Sequence, residues 1–467
     1  MNPLAITCYI QQETNRMTER PNIIYIICHD LGKHLGCYDA MVDSPNMDRL
    51  ASEGVKFNKA FCNAPACSPA RACAITGKYS HTNGEIGLSH MGWSLAQDQR
   101  TVVDCFNDGG YETVHFGLNH ERHAGTNHYQ IDEERTWGDW NAANAVDKTI
   151  EYLENRPEDP DQPFYLNVGF FETHAPWAGK DHPKVALEDV YIPTYCADVP
   201  FLREKLADFQ GSILYMDAQI GRLRDAIDRM GYRDNTILMF TTDHGIDNLR
   251  AKGTLYDSGV EVSLLMQLPV ASHNGVAVDE LIQHIDIAPT LLNAAGIDVP
   301  TDMQGKSFWP LLIGESYQPH TELFIERNFH GQRPWLGDHW AKDYADVYDP
   351  IRAVRTKDFH YIRNFDPGAW PRLPLPHEID EVTANCDGYK HSSWPHLTGP
   401  RPEEELYHIT HDPAELRNVA TQTQYAAIKQ DLADRLEAWM RQTDDHILTG
   451  NVPARPEEPG WGNFPIE

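Results

Sequence analysis

Four short apolar runs, residues 22–27, 113–116, 163–170 and 236–241, are separated by longer stretches in which apolar residues recur at helical spacing, among them residues 140–155 and 201–230. A run that is apolar at successive positions has no solvent face. As a strand it must be covered on both sides, and the helical segments between the runs supply that cover. The pattern predicts an α/β core: a large, mostly parallel central sheet flanked by helices. Ser44-Pro45 opens a further helix that runs through Glu53 and stops at Gly54. Beyond about Asp349 the pattern changes to hairpin-like segments, such as residues 351–364, and then a helix near residues 425–443. The expected division is therefore an α/β domain over 20–348 and a smaller C-terminal α+β lobe, with an antiparallel sheet, over 349–467. Residues 368–401 and 451–467, rich in proline and tryptophan, read as long surface loops and an extended C-terminal arm, the latter a candidate for homo-oligomer contacts.

In open sheets of this kind ligands bind beyond the carboxyl ends of the strands. The residues at those ends are polar and able to hold a metal. Cys28-His29-Asp30 follows the first run, Gly117 to His120 the second, Glu172-Thr173-His174 the third and Asp243-His244 the fourth. One such cluster is an ordinary cap or solvated loop. Four at equivalent ends point to one site.

Lys and Arg total 39 against 69 Asp and Glu, a formal net charge of -30. That field repels nucleic acid and long polyanions, although a small anion can still enter a locally positive pocket; the acidity otherwise reads as serving solubility. Residues 1–22 carry neither a basic start nor an apolar signal core, and no run approaches the ~18 apolar residues of a membrane span. A cytoplasmic protein without a membrane partner is the expectation. The nine cysteines are odd in number and lack framework spacing, which fits reduced thiols.

The sharpest local signal is Cys67-Ser68-Pro69-Ala70-Arg71, followed by Thr76-Gly77-Lys78. With Ser68 as a cap and Pro69 in the first turn, Cys67 lies at a helix N-terminus and Gly77 is the stop. Free N–H groups and the helix dipole favour an anion there, and Arg71, one turn on, can face the same point. Lys78 is a further candidate cation for substrate binding.

This C-x-P-x-R pattern with Thr-Gly downstream resembles the signature of the sulfatase family, whose usual form is C-x-P-S-R and whose cysteine is oxidised to formylglycine. The resemblance continues through His174-Ala175-Pro176, Lys252-Gly253-Thr254-Leu255-Tyr256, Asp286-Ile287-Ala288-Pro289-Thr290 and Glu405-Leu406-Tyr407, covering nearly the whole chain. Within the family, Phe324-Ile325-Glu326 and Arg352-Ala353-Val354-Arg355-Thr356 look most like the heparan N-sulfatase branch. The resemblance implies a hydrolase of sulfate monoesters, arylsulfatase-like, in the alkaline phosphatase superfamily. It implies a formylglycine made from Cys67 by a formylglycine-generating enzyme, and one divalent metal. His29, Asp30, Asp243, His244 and residue 67 would hold that metal. Arg71 would orient the formylglycine, His120 would assist release of sulfate, His174 would protonate the leaving oxygen, and Lys252 would bind substrate oxygens together with His174.

Three positions depart from the family pattern. The family usually has Asp-Asp where this chain has His29-Asp30, and Asp-Asn where it has Asp243-His244. Calcium takes oxygen ligands and imidazole suits manganese or zinc, so Ca2+ and Mn2+ or Zn2+ are equal candidates. Leu118 stands where the family has a substrate-contacting lysine. These features also resemble the phosphonate monoester and phosphodiester hydrolases of the same superfamily, which form the alternative reading. An inactive anion-binding scaffold is a third.

Overall fold

Asn22–Cys28 (β1) is buried at every position, as a strand covered on both faces must be. The computed structural model describes residues 20–121, 128–134, 141–157, 162–175, 177, 179, 181–196, 198–248, 250–269, 275–332, 345–367, 401–450 and 452–453. The runs read from sequence form β3 (Glu112–Gly117), β5 (Phe164–Gly169) and β6 (Thr236–Thr242) beside β1. With β2 (Val55–Phe57), β4 (Ile131–Glu134), β7 (Leu264–Gln267) and β8 (Val276–Val278), they build an eight-stranded sheet of order β4-β3-β5-β1-β6-β7-β2-β8. The neighbours from β4 to β6 are all parallel. Only β7 runs antiparallel to its neighbours β6 and β2, so the sheet is mostly parallel, as expected.

Alternate residues of β1 feed two cores. Ile24 and Ile26 pack under α1 (Pro45–Glu53), α3 (Ala142–Asn155) and α4 (Pro200–Arg229). Ile23, Tyr25 and Ile27 face α2 (Cys67–Thr76) and α5 (Ile287–Ala294). Among the described residues no helix is long and apolar enough to cross a membrane, and the described cysteines are free thiols.

A second, antiparallel sheet has the order β9-β10-β11-β12, from Glu322–Gln332, Ala345–Thr356, Phe359–Asn364 and Glu404–His408. It packs on α6 (Ala426–Gln442), with Phe324 stacked on Trp439 at 4.9 Å. The sheet begins at Glu322, ahead of the expected division at 348. Its first strand is hidden in the sequence because Glu326, Arg327 and Asn328 are all buried, which erases the apolar alternation of a half-exposed strand. Their polar groups are met internally: His81 Nδ1 lies 3.0 Å from Glu326 Oε1, and Arg352 donates to Asn328 Oδ1 at 2.8 Å. The stretch 368–400 and the arm beyond 453 lie outside the described residues.

The two sheets are joined by a buried polar clamp. Arg355 of β10 donates to Asp257 Oδ2 at 2.7 Å, His360 Nδ1 of β11 donates to Glu415 Oε1 at 2.6 Å, and the Asp257 N–H donates to Glu415 Oε2 at 2.5 Å. Arg250 donates to the Glu415 carbonyl, and Arg327 to that of Gly253. Burial disfavours charge on His360, but Glu415 and Asp257 outweigh it and push the imidazole up to about 9. A protonated His360 therefore stabilises the fold fully below its unfolded value of ~6.5, and the contribution fades as pH rises through about 9. Thermal unfolding between about pH 6 and pH 10 should show the wild type losing stability progressively from about pH 6.5 to about pH 9 and levelling off above it. His360→Gln should cost about 3 kcal/mol near neutrality and flatten that profile, because one partner of a buried ion pair is gone. A variant that keeps the wild-type slope would exclude His360 as the titrating group.

Candidate functional site

Because β3, β5, β1 and β6 are adjacent and parallel, their carboxyl ends lie side by side. The four polar clusters thus meet over one patch of the sheet edge. His29 and Asp30 follow β1, Asp243 and His244 follow β6, His174 follows β5 and His120 follows β3. Asp30 and His120 adopt left-handed φ angles of 47° and 49°, a conformation costly for residues with a Cβ and concentrated at functional sites.

Cys67 is the first residue of α2, and Gly77 closes the helix with φ 66° and its N–H on Cys73 O. The cap is Ala66, not Ser68: the Ser68 side chain is inside the first turn and its Oγ accepts the Ser89 N–H at 3.0 Å. Cys67 is 3% exposed, and burial pushes its thiol well above the ordinary range. As a free thiol it is a poor nucleophile at neutral pH. Its Sγ lies 3.4 Å from His244 Nε2.

One carboxylate organises the surroundings. Asp243 Oδ1 accepts the N–H groups of Asp30 and His244 at 2.9 Å each, and Oδ2 lies 3.2 Å from Arg71 Nε and 2.8 Å from His29 Nδ1. Burial alone would raise this carboxyl; His244, His29 and Arg71 hold it well below the carboxylate range. Arg71 is fully buried and also donates to Cys28 O at 3.1 Å, so one guanidinium joins α2 to the end of β1.

Lys252 reaches in from the loop clamped by the C-terminal lobe. Its Nζ is 2.7 Å from Asp30 Oδ2, 3.5 Å from His174 Nε2 and 3.9 Å from Asp247 Oδ2. Burial and the Lys252 charge push His174 down, opposed by Asp30 and Asp247. His120 is also pushed down, by burial and by the His90 and His29 rings. Its Nε2 lies 3.2 Å from His90 Nδ1. Leu118 is 2% exposed, so no cation enters from that position.

Lys78 is the expected residue that the fold keeps away. The ten-residue helix from Cys67 to Thr76 puts about 14 Å of rise between its ends, and Lys78 Nζ pairs instead with Asp302 at 2.5 Å. Sequence reasoning missed His90 and Asp247. His90 sits in a single 3-10 turn, Ser89–Met91, too short to carry a periodic signal, whereas Asp247, three residues past His244, could have been found by extending the strand-end cluster.

The donor set suits a divalent metal. Asp30, Cys67, Asp243 and His244 bring ligand atoms within 4.8 Å of one another, and His29 belongs to an overlapping group with Asp30, Cys67 and His174. Asp30 Oδ1 and His29 Nε2 are buried without hydrogen-bond partners, a costly condition that a cation would relieve. Each of the five expected ligands falls in one of these two overlapping groups, and His29, with Nδ1 2.8 Å from Asp243 Oδ2, has its Nε2 without a partner.

Residues 21–297 match the family model described as Sulfatase, and residues 245–390 match N-sulphoglucosamine sulphohydrolase, C-terminal. An ulvan-active sulfatase of Formosa agariphila is 28% identical over 460 residues, covering 94% of this chain and 84% of the relative. Human N-sulphoglucosamine sulphohydrolase is 23% identical, with 95% and 94% covered. A solved structure in complex with its substrate D-glucosamine-2-N,6-O-disulfate superposes with a TM-score of 0.66 at 20% identity, covering 94% of this chain and all of the other. The phosphonate monoester hydrolase of Agrobacterium radiobacter superposes with a TM-score of 0.67 at 19% identity, covering 92% and 97%. The first family model alone spans more than half of the sequence, and the chain belongs to the sulfatase family.

Proposed function

We propose that this protein hydrolyses small sulfate monoesters with a formylglycine made from Cys67 and one divalent metal. The observation that carries the reading is the position of Cys67. It opens a helix beside Arg71 and the Asp30–Asp243–His244 cluster, yet burial denies it the chemistry of a thiolate. Asp30, Asp243, His244 and residue 67 would hold the metal, with His29 beside them. Bound there, the metal would supply Lewis acidity toward the anionic oxygens, and a hydrated aldehyde at 67 would offer one hydroxyl to sulfur while keeping the second to release sulfate. The chain's own side chains do the rest. Arg71 and the helix N-terminus hold residue 67 against the anion. Lys252, already 3.5 Å from His174, neutralises a substrate oxygen. His174 gives its proton to the departing alcohol, since an entering anion offsets the Lys252 charge that keeps the imidazole neutral. His120, braced by His90, takes the proton of the second hydroxyl.

Mass spectrometry of the Cys67 peptide from the native host should find the aldehyde or its hydrate. Cys67→Ala should abolish turnover while leaving the thermal melt near wild type. Substantial activity in Cys67→Ala, prepared free of wild-type enzyme, would end the formylglycine reading.

Chelation should inactivate the protein and lower its melting temperature, since a metal bound to the native state stabilises it by mass action. With an imidazole among the ligands, Mn2+ or Zn2+ should restore both at least as well as Ca2+. Elemental analysis of protein purified without added metal provides the check; Ca2+ alone at full occupancy would show that His244 and His29 do not choose the metal.

Sulfate monoesters, phosphonate monoesters and phosphodiesters carry one negative charge, whereas phosphate monoesters carry ~1.5 to 2. With buried Leu118 in place of a lysine, the site has no cation there to offset the second charge. Aryl phosphate should therefore be the poorest of a matched series by kcat/KM. A preference for aryl phosphate would contradict this reading of the site's charge, and a large preference for phosphonate or phosphodiester over sulfate would establish the alternative activity.

A further inference from the structure

A cavity of about 190 Å3, sharing no lining residue with the catalytic cluster, opens between the segment after β1, the loop at 191–195, the turn at 257–261 and the C-terminal lobe at Pro413. It is well below the ~300–1,000 Å3 of sites for drug-sized ligands, which restricts an occupant to roughly one ring.

The lining defines the chemistry of that ring. Lys33 Nζ lies 3.2 Å from Glu261 Oε1 and donates to Asn58 O at 3.0 Å, with both side chains still about a quarter exposed, at 25% and 28%. Lys33 and Glu261 compensate each other and Asp257 is paired with Arg355, so an anion entering here finds no uncompensated positive charge. A cation meets Lys33, and the face of Tyr38 it would seek is already covered by Lys33 at 5.4 Å and Lys56 at 5.5 Å. A neutral ligand remains. His34 adds no charge: burial pushes its imidazole down to about 4, Nδ1 donates to Leu31 O at 2.8 Å, and Nε2 holds the Tyr195 hydroxyl at 3.4 Å, which fixes that ring in the wall. The cavity therefore offers an ammonium donor and a carboxylate acceptor, with Tyr191, Tyr195 and Pro413 in the same lining. Hydroxyls that both donate and accept, on a ring with C–H faces, match that set.

We propose that this cavity binds a neutral, polyhydroxylated six-membered ring, an uncharged sugar unit. The proposal does not rest on formylglycine or on the metal. Saturation-transfer NMR on the intact protein, with methyl glucoside as the probe and sodium sulfate and tetramethylammonium chloride as competitors, tests it. Transfer to the glucoside should be seen, should persist in excess sulfate, and should be unaffected by tetramethylammonium. Tyr191→Ala should weaken binding about fivefold through loss of one ring face. Glu261→Gln should also weaken it and serves as the second variant if Tyr191→Ala does not fold. Absence of transfer, displacement by either ion, or binding undiminished in the folded variants would overturn the proposal.

Discussion

The carboxylate of Asp243 is the point on which the site depends. Two backbone amides, a guanidinium and an imidazole converge on it, and they come from the ends of β1 and β6 and from the second turn of α2. A charge buried this deeply is tolerable only with such partners. In exchange for that desolvation, the anion fixes the relative positions of the parallel sheet and the helix carrying residue 67. Arg71 is its complement, since the fully buried guanidinium answers Asp243 on one side and the Cys28 carbonyl on the other. Neither residue needs to touch a substrate to matter.

Much of this arrangement is legible from residue patterns, for physical reasons that also mark where legibility ends. β1 can be read within a residue of its true bounds because every position is buried. The four strand-end clusters can be gathered into one site because parallel strands share an end, although their adjacency depends on a strand order that no local pattern encodes. β7 is unreadable as an antiparallel member because four buried residues carry no directional mark. β9 is hidden by its own buried charges. Lys78 misleads because nearness along the chain is not nearness in space: one helix carries it to the far end of α2. The His90–His120 contact joins a 3-10 turn to the loop after β3, and their meeting is a tertiary event.

The arrangement also divides labour between the sheets. The parallel sheet presents the cluster around residue 67, while the loop that presents Lys252 is held from behind by the antiparallel lobe, through Arg327 on Gly253, Arg250 on Glu415 and the Arg355–Asp257 pair. The lysine's reach toward Asp30 and His174 is therefore a property of the contact between two sheets, not of either alone.

That dependence has a consequence in time. Chains emerge from the ribosome N-terminus first, and domains fold as they appear. The strand ends, the helix of Cys67 and Lys252 itself are all made early, but Glu415, which closes the clamp, follows more than a hundred residues later. A nascent chain can hold every group of the cluster and still lack the fixed position of its lysine. Assembly of the site thus waits for the emergence of Glu415, and a fragment stopping short of it carries the chemistry's residues without their geometry.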